Sequence, residues 1–208
     1  MSTPARKIDI REANESLILR ASEKMFAIHG YRGTTTESIA AEAGLPKANV
    51  HYYFKTKSNL YRQVLKSVLE EWMHAADKFE TRDDPEHALR TYITAKMKFS
   101  RERPYGSLVW ANEIRRGAPI IEQFLATTLK QWLNQRVAVI RTWIDRGQIR
   151  PVDPKTLLYM IWATTQHYAD FSRQIEILND GHPITDRQYD DTVEEVVCLI
   201  LASVSVRE

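Results

Sequence analysis

Apolar residues recur along most of the chain at intervals of three and four positions, which is the spacing of one face of an α-helix. Long runs in which apolar and polar residues alternate, as they do in half-buried strands, are almost absent. Glycines and prolines divide the apolar pattern into segments, for example at Gly30, Gly44, Pro104 and Gly147. The pattern predicts an all-α protein with nine helices, three in a small N-terminal part and six in a larger remainder.

Several helices are bounded by residues that start or stop a helix for a physical reason. Gly30 follows a first helix at the position where a left-handed residue commonly ends one. Asp84-Pro85 and Asp153-Pro154 each place a carboxylate at the N-cap and a proline at the first helical position. The predicted apolar stripe of the first helix consists of Leu17, Ala21, Met25 and Ile28. Later helices are predicted over about 36–43, 47–54, 58–79, 85–103, 153–179 and 186–204.

The stretch from Gly30 to Lys57 has the pattern of a helix-turn-helix. Two short helices are joined at Gly44, which can take the positive φ that so tight a turn requires. Such a motif lays its second helix in the major groove of DNA, with the N-terminal residues of that helix against base edges. Lys47 and Asn49 occupy that place, and they can donate to guanine and pair with adenine, respectively. The core predicted to lock the two helices consists of Phe26, Ile39, Ala40, Ala43, Leu45, Val50 and Phe54.

Other residues of this stretch suit contacts with phosphates. Thr35 and Thr36 open the first helix of the pair, where hydroxyl groups and free backbone N–H groups can hold an anion. Tyr53, Lys55 and Lys57 supply further donors. The charge distribution agrees, because residues 1–66 hold 11 Lys or Arg against 6 Asp or Glu, a net charge of +5, whereas the whole chain has a net charge of only +2.

Composition excludes several other classes of protein. The single cysteine, Cys198, excludes a disulfide framework, and His167 with Asp170 would be too few ligands for a metal centre. The longest apolar run, over residues 196–202, is too short to span a bilayer, and the N-terminus lacks the apolar segment of a signal peptide. The sequence therefore predicts a cytoplasmic protein with no membrane partner, no metal and no cofactor.

From Phe26 through Leu60 the chain resembles the DNA-binding segment of the TetR family of transcriptional regulators, by its glycines, helix-start threonines, aromatic cluster and Lys57 at fixed spacing. The resemblance implies a DNA-binding head over residues 1–57, with a flexible arm over about 1–11, and a ligand-binding and dimerisation body over 58–208. Packing in the core is the alternative role for His51 and Tyr52. The candidate DNA contacts are Thr35, Thr36, Lys47, Ala48, Asn49, His51, Tyr52, Tyr53, Lys55 and Lys57.

The helix predicted after Asp153 carries a mixed apolar and polar face, formed by Trp162, Thr165, Gln166 and Ala169. A pocket for a small planar, polar molecule needs aromatic walls with a few donors and acceptors. The Gln166 amide can both donate and accept, which matches the N–H and C=O edge of a lactam or imide. Plain core or dimer interface is the alternative role for this face.

The body also resembles TetR-family regulators of pyrimidine utilisation, which sense uracil and thymine. That resemblance implies effector contacts by Trp72, Lys96, Trp162 and Gln166, to which Thr165 and Ala169 are added from the helical face. The effector would be such a pyrimidine, a related nucleobase, a ring-opened catabolite or another small amide. The last two long helices form the dimer interface in this family, and here their apolar stripes consist of Leu157, Ile161, Val193, Val196, Val197, Ile200 and Val204.

The prediction is therefore a homodimeric DNA-binding transcriptional regulator, a repressor released from a palindromic double-stranded operator by a small-molecule effector. The same fold sensing an unrelated hydrophobic or planar molecule, or acting as an activator, is the alternative. A helical scaffold would differ by showing no salt-dependent DNA binding. An enzyme has little support, since no phosphate-binding glycine loop and no nucleophile elbow occur in the sequence.

Overall fold

The computed structural model describes residues 4–75 and 84–206, and within these ranges the chain forms ten helices and no strand. The all-α prediction is confirmed. The helices are α1 (Pro4–Gly33), α2 (Thr36–Ala43), α3 (Lys47–Phe54), α4 (Lys57–Ala75), α5 (Pro85–Glu102), α6 (Pro104–Arg115), α7 (a continuous run of Glu122–Phe124, the π-helical Leu125–Leu129 and Lys130–Asp145), α8 (Pro154–Asp170), α9 (Ser172–Leu178) and α10 (Asp186–Val204). No helix in the described ranges is long and apolar enough to cross a membrane.

The chain divides into two compact units, and it passes from the first to the second within α4. The first unit comprises Met1–Leu69 and Leu108–Ile121, and the second comprises Glu70–Ser107 and Glu122–Glu208. The domain boundary predicted after Lys57 coincides with the start of α4, whereas the change of unit falls twelve residues later, between Leu69 and Glu70.

Local signals determine where α2 begins and ends. The Thr35 side chain accepts a 3.0 Å hydrogen bond from the Ser38 N–H, and the Ser38 hydroxyl accepts one from the Thr35 N–H at 3.1 Å, which together form a capping box. Gly44 ends the helix with φ of 64°, a left-handed conformation that costs glycine little. The predicted turn is therefore confirmed. Of the predicted small core, all members are buried except Ala43 and Leu45, which are half-buried.

The buried face of α1 differs from the predicted stripe. Leu17 and Ile28 are 50% and 53% exposed, whereas Ile18 and Phe26 are buried. The face is displaced because Phe26 fills the core of the first unit, where its ring packs edge-on against Tyr61 with centroids 4.8 Å apart.

The N-terminal arm predicted over about 1–11 is helical in its described part. α1 begins at Pro4, and residues 1–3 lie outside the described residues. Proline suits the first turn because the N–H that it lacks would have no partner there, and no glycine or further proline follows before Gly30. At Gly30 the backbone leaves the helical region (φ 68°, ψ 172°), which confirms the predicted end of the first helix and leaves a kink inside α1.

The segment 108–121 belongs to the first unit, and the buried Glu113 carboxylate is a link between it and α4. One carboxylate oxygen accepts a 3.1 Å hydrogen bond from the Tyr61 hydroxyl. The other accepts a 2.7 Å hydrogen bond from the Ile120 N–H. A buried carboxylate needs such partners to offset its lost hydration, so Glu113 requires no ligand in order to be accommodated.

The second unit is built on α5, which packs against α8 and α10, while α7 packs against α8. Asp84 and Asp153 cap α5 and α8 by accepting hydrogen bonds of 2.9 and 2.7 Å from the N–H groups of His87 and Thr156, which confirms both predicted helix starts. The π-helical segment at the start of α7 was not expected from the sequence.

The apolar stripes of α8 and α10 lie inside this unit, contrary to the expectation that they face a second protomer. All seven stripe residues are 9% exposed or less and belong to one apolar cluster with α5 and α7. Packing by α5 and α7 takes up the apolar surface that periodicity alone would assign to a dimer. The large apolar side chains left exposed on α8 and α10 include Tyr159, Met160 and Leu199.

The single helix predicted over 153–179 is two helices, α8 and α9, which raises the count in the described ranges from nine to ten. The break occurs at Phe171 (φ −119°, ψ 24°), whose N–H still bonds the His167 carbonyl oxygen at 2.9 Å. The Phe171 ring stacks on the His167 ring with centroids 4.9 Å apart. No glycine or proline occurs at this position, so the sequence gives no local signal for the break.

The predicted helix over 58–79 is confirmed as α4 to Ala75; residues 76–79 lie outside the described residues.

Candidate nucleic-acid interface and effector site

The first turn of α2 and the outer face of α3 meet at Thr36 and His51. The Thr36 hydroxyl oxygen lies 3.5 Å from His51 Nε2. Thr35 and Thr36 stand at the start of α2, where the first backbone N–H groups lack helical partners. This arrangement brings the phosphate candidate Thr36 beside the middle of α3, while Thr35 precedes it at the N-cap of α2.

The candidate residues of α3 lie mostly on its exposed side, because Val50 and Phe54 occupy the buried side. Tyr52 is 72% exposed, which excludes the core-packing alternative for its ring. Asn49 is half-buried. The exposed candidates are Lys47, Ala48, His51, Tyr52 and, after the helix, Lys55.

Tyr53 and Lys57 have partners within the first unit. The Tyr53 hydroxyl accepts a 3.4 Å hydrogen bond from the Asn14 amide. The Lys57 ammonium donates to the carbonyl oxygens of Tyr31 and Thr34, both at 2.9 Å. Lys57 therefore binds the turn before α2. A phosphate contact by its remaining N–H donor stays a prediction.

Glu37, in the first turn of α2, is a residue of this surface that the sequence reasoning missed. Its carboxylate forms an ion pair with the Lys47 ammonium across the two helices. The hydrogen bond from Lys47 lowers the pKa of the Glu37 carboxyl to about 2, so this carboxyl stays charged at neutral pH. An acidic residue directly after the helix-start threonines was the available signal.

In the second unit, the structure brings Trp72 and Lys96 together. The Lys96 ammonium lies 4.0 Å from the centre of the Trp72 ring, and the Lys96 residue is only 2% exposed. Burial lowers the pKa of Lys96 to about 7, while the charge of Asp170 acts in the opposite direction. Asp170 itself accepts a 2.7 Å hydrogen bond from the Ser107 hydroxyl. An ammonium on an aromatic face is the kind of group that a polar ligand can engage.

The residues one turn before and after Lys96 on α5 bind α8. The Tyr92 hydroxyl accepts a 2.8 Å hydrogen bond from Trp162 Nε1, and the Ser100 hydroxyl donates at 2.7 Å to the Thr165 carbonyl oxygen. Tyr92, Lys96 and Ser100 follow one another at intervals of four, so they share one buried face of the helix. Burial raises the pKa of Tyr92 well above its ordinary value, and its phenol stays neutral.

The predicted effector residues of α8 are in different environments. Thr165 and Ala169 are buried, and the Thr165 hydroxyl donates to the Ile161 carbonyl oxygen of its own helix at 2.8 Å. Trp162 and Gln166 are half-buried. The centre of the Trp162 ring lies 6.1 Å from the centre of the Trp132 ring on α7. Core packing thus occupies Thr165 and Ala169, and contact of any of these four residues with an effector stays a prediction.

Comparison with known proteins identifies the family. Residues 18–64 match the bacterial regulatory proteins of the tetR family, and residues 65–207 match the family described as YcdC-like protein, C-terminal region. The chain therefore belongs to the TetR family of bacterial regulatory proteins, and it is a DNA-binding transcriptional regulator rather than an enzyme. Over 207 residues it is 34% identical to the HTH-type transcriptional regulator RutR of Escherichia coli strain K12, which covers 100% of this chain and 98% of RutR.

Solved structures share the fold at lower identity. A tetR-family regulatory protein from Rhodococcus RHA1 superposes with a TM-score of 0.73 at 18% identity, over 94% of this chain and 98% of that one. The TetR-family transcriptional regulator PfmR from Thermus thermophilus does so with a TM-score of 0.69 at 19% identity, over 92% and 99% of the two chains. These similarities support the all-α fold.

Proposed function

We propose that this regulator is a repressor that binds a near-palindromic operator as a homodimer and releases it when a planar, nucleobase-like effector binds. The head over residues 1–57 contacts DNA, and the body over 58–208 binds the effector and the second protomer. The full-length similarity to RutR supports this proposal. The class of effector follows from the resemblance of the body to TetR-family regulators of pyrimidine utilisation.

The observation that carries the effector proposal is the contact between Lys96 and Trp72. A buried ammonium loses hydration that costs several kcal/mol unless other groups compensate for it. A pyrimidine offers carbonyl oxygens to that ammonium and a flat face to the aromatic side chains. The half-buried Gln166 amide on α8 supplies the complementary donor and acceptor for an imide edge.

The DNA contacts are assigned by position on the head. Lys47 and Asn49 face base edges from the start of α3, with Ala48, His51 and Tyr52 beside them. Thr35, Thr36, Tyr53, Lys55 and Lys57 contact phosphates. Two-fold symmetry places the two α3 helices about 34 Å apart, one turn of DNA.

Coupling between the two sites goes through α4, which begins at Lys57 and carries Trp72 near its end. An effector that changes the position of Trp72 acts on the helix that also holds the turn before α2. Operator and effector then oppose each other with a coupling free energy of about 1–3 kcal/mol.

Two measurements on the full chain test the proposal. In a thermal-shift assay with uracil, thymine and their ring-opened ureido acids, at least one compound should raise Tm, because a ligand bound only by the folded state stabilises it. The same compound should release DNA from upstream of the protein's own gene in a gel-shift assay. A Gln166→Leu variant should keep DNA binding and lose both responses. The proposal is wrong if no compound shifts Tm, or if a compound binds without affecting the DNA complex.

A further inference from the structure

Glu37 stands among the DNA-contact candidates although its charge is of the same sign as the DNA backbone. One carboxylate oxygen is ion-paired with Lys47, and the other accepts a 3.3 Å hydrogen bond from the Thr36 hydroxyl. The same hydroxyl lies 3.5 Å from His51 Nε2. One acid therefore contacts two candidate residues directly and reaches a third through Thr36.

The pair is on the outer surface rather than in the core. The side chains of Lys47 and Glu37 are 50% and 59% exposed, so neither is required to fill space. Exposed ion pairs contribute little to stability, because water screens the charges and two flexible side chains must be ordered. The pair therefore contributes little to folding. Its position on the outer surface where α2 meets α3 indicates a role in DNA binding instead.

A free lysine binds any phosphate as a flexible point charge, and that binding carries no sequence information. Pairing with Glu37 changes this in two ways. It offsets the positive charge by which Lys47 would attract any DNA phosphate. It also restricts the Lys47 side chain, which otherwise samples many rotamers. Phosphates near the pair are repelled by the carboxylate, whereas neutral base edges are not.

We infer that Glu37 is a specificity-determining positioning residue, which withholds Lys47 from phosphates and directs its ammonium to a guanine edge of the operator. The O6 and N7 atoms of guanine are the acceptors that suit a lysine in the major groove. This inference rests on the proposed contact of Lys47 with a base edge. Glu37 lowers the affinity for unrelated DNA, and in this way it raises the ratio of specific to non-specific binding.

The test compares wild type, Glu37→Gln, Lys47→Gln and the double variant. The specific duplex is first selected by the wild-type protein from a random duplex library, and an unrelated duplex of equal length serves as the non-specific probe. Dissociation constants are measured by fluorescence anisotropy at several salt concentrations. Circular dichroism and thermal unfolding of each variant verify the fold.

Glu37→Gln is expected to bind the unrelated duplex at least five-fold more tightly. Its plot of log affinity against log salt should be steeper by about 0.9 per protomer, because Lys47 then neutralises a phosphate. Preference for guanine at one operator position should weaken at least ten-fold, measured with single-base variants of the selected duplex. Lys47→Gln should lose the same preference, and the double variant should lose no more.

Glu42→Gln is the matched control, since Glu42 is also on α2 and pairs with Lys24 at 2.7 Å. It removes the same formal charge but leaves Lys47 paired, so it should change the affinities for both duplexes by one common factor. The inference is overturned if Glu37→Gln behaves like this control. If Lys47→Gln alters binding to neither duplex, or if the wild type selects none, the proposed interface itself is wrong.

Discussion

The ammonium of Lys57 lies 4.6 Å above the centre of the Tyr31 ring and donates a 2.9 Å hydrogen bond to the carbonyl oxygen of the same residue. A second hydrogen bond reaches the Thr34 carbonyl oxygen. Both acceptors follow the kink at Gly30, where the helical bonding of α1 is interrupted. Lys57 therefore attaches the start of α4 to the turn that leads into α2.

Replacing Lys57 by Met should destabilise the head as well as weaken DNA binding. The change removes both hydrogen bonds and the cation–π contact while it keeps the apolar stem, so the free energy of unfolding should fall by about 1–3 kcal/mol. Urea unfolding followed by circular dichroism measures the loss. Lys55→Met is the control, since Lys55 is exposed two residues away, and its effect should stay within about 0.5 kcal/mol. Equal free energies of unfolding for the two variants would show that the hydrogen bonds of Lys57 do not contribute to stability.

Replacing Lys96 by Met should change how stability depends on pH. Burial lowers the pKa of Lys96 from 10.5 to about 7, so between these values the unfolded chain binds a proton that the folded protein has lost. The free energy of unfolding of the wild type should therefore rise with pH in this window, by up to about 1.4 kcal/mol per pH unit, and below it the penalty of the buried charge is fully present.

The Lys96→Met variant lacks this contribution, so any stability advantage that it has over the wild type should shrink as the pH rises from 7. Denaturant unfolding at about pH 6.5, 7.5 and 8.5 measures the difference. Lys98→Met is the control, because Lys98 is an exposed neighbour on α5 and its difference from the wild type should be constant. Parallel profiles for the wild type and Lys96→Met would contradict the lowered pKa.

Replacing Tyr92 by Phe should cost about 1–3 kcal/mol of stability, because the Trp162 N–H then loses its acceptor at a half-buried site. Combining it with Trp162→Phe should cost less than the sum of the single changes, since both break one hydrogen bond. Chemical unfolding of the wild type, the two single variants and the double variant gives the four free energies of a double-mutant cycle. Tyr159→Phe, on the exposed neighbour of Trp162, should be nearly neutral. Additive costs for Tyr92 and Trp162 would mean that the hydrogen bond contributes nothing.

Replacing Leu199 by Glu should shift the proposed homodimer toward monomer. Leu199 is 62% exposed on α10, and a charge placed in an apolar interface opposes association. Sedimentation velocity measures the change, and operator affinity should fall with it. Ile177→Glu is the control, because Ile177 is 58% exposed on α9 instead. Unchanged association of the Leu199 variant would exclude this face from the interface.

The bounds of α2 and the starts of α5 and α8 could be predicted because their signals lie within a few residues of each boundary. Thr35 caps α2 and Gly44 ends it through bonds to groups three and four positions away. Asp84 and Asp153 act over the same distance. The break between α8 and α9 at Phe171 could not be predicted in this way, because no glycine or proline lies at that position.

Partners of the candidate site residues could be predicted less well. Glu37 and Lys47 are ten residues apart on different helices, and only the packing of α2 on α3 brings them together. The apolar stripe of α10 shows the same limit, since periodicity states that a face is apolar but does not state which helix covers it.

The amino-acid sequence by itself determined the helical class and the helix-turn-helix with its caps, because capping and helical hydrogen bonding act over about four residues. It also indicated the family, because the residues that carry the resemblance lie in one continuous stretch from Phe26 to Leu60. Tertiary structure decided that the stripes of α8 and α10 are internal, that Lys57 binds the turn after α1, and that Lys96 lies on Trp72. Each of these depends on contacts between distant parts of the chain, which are set by the packing of whole helices.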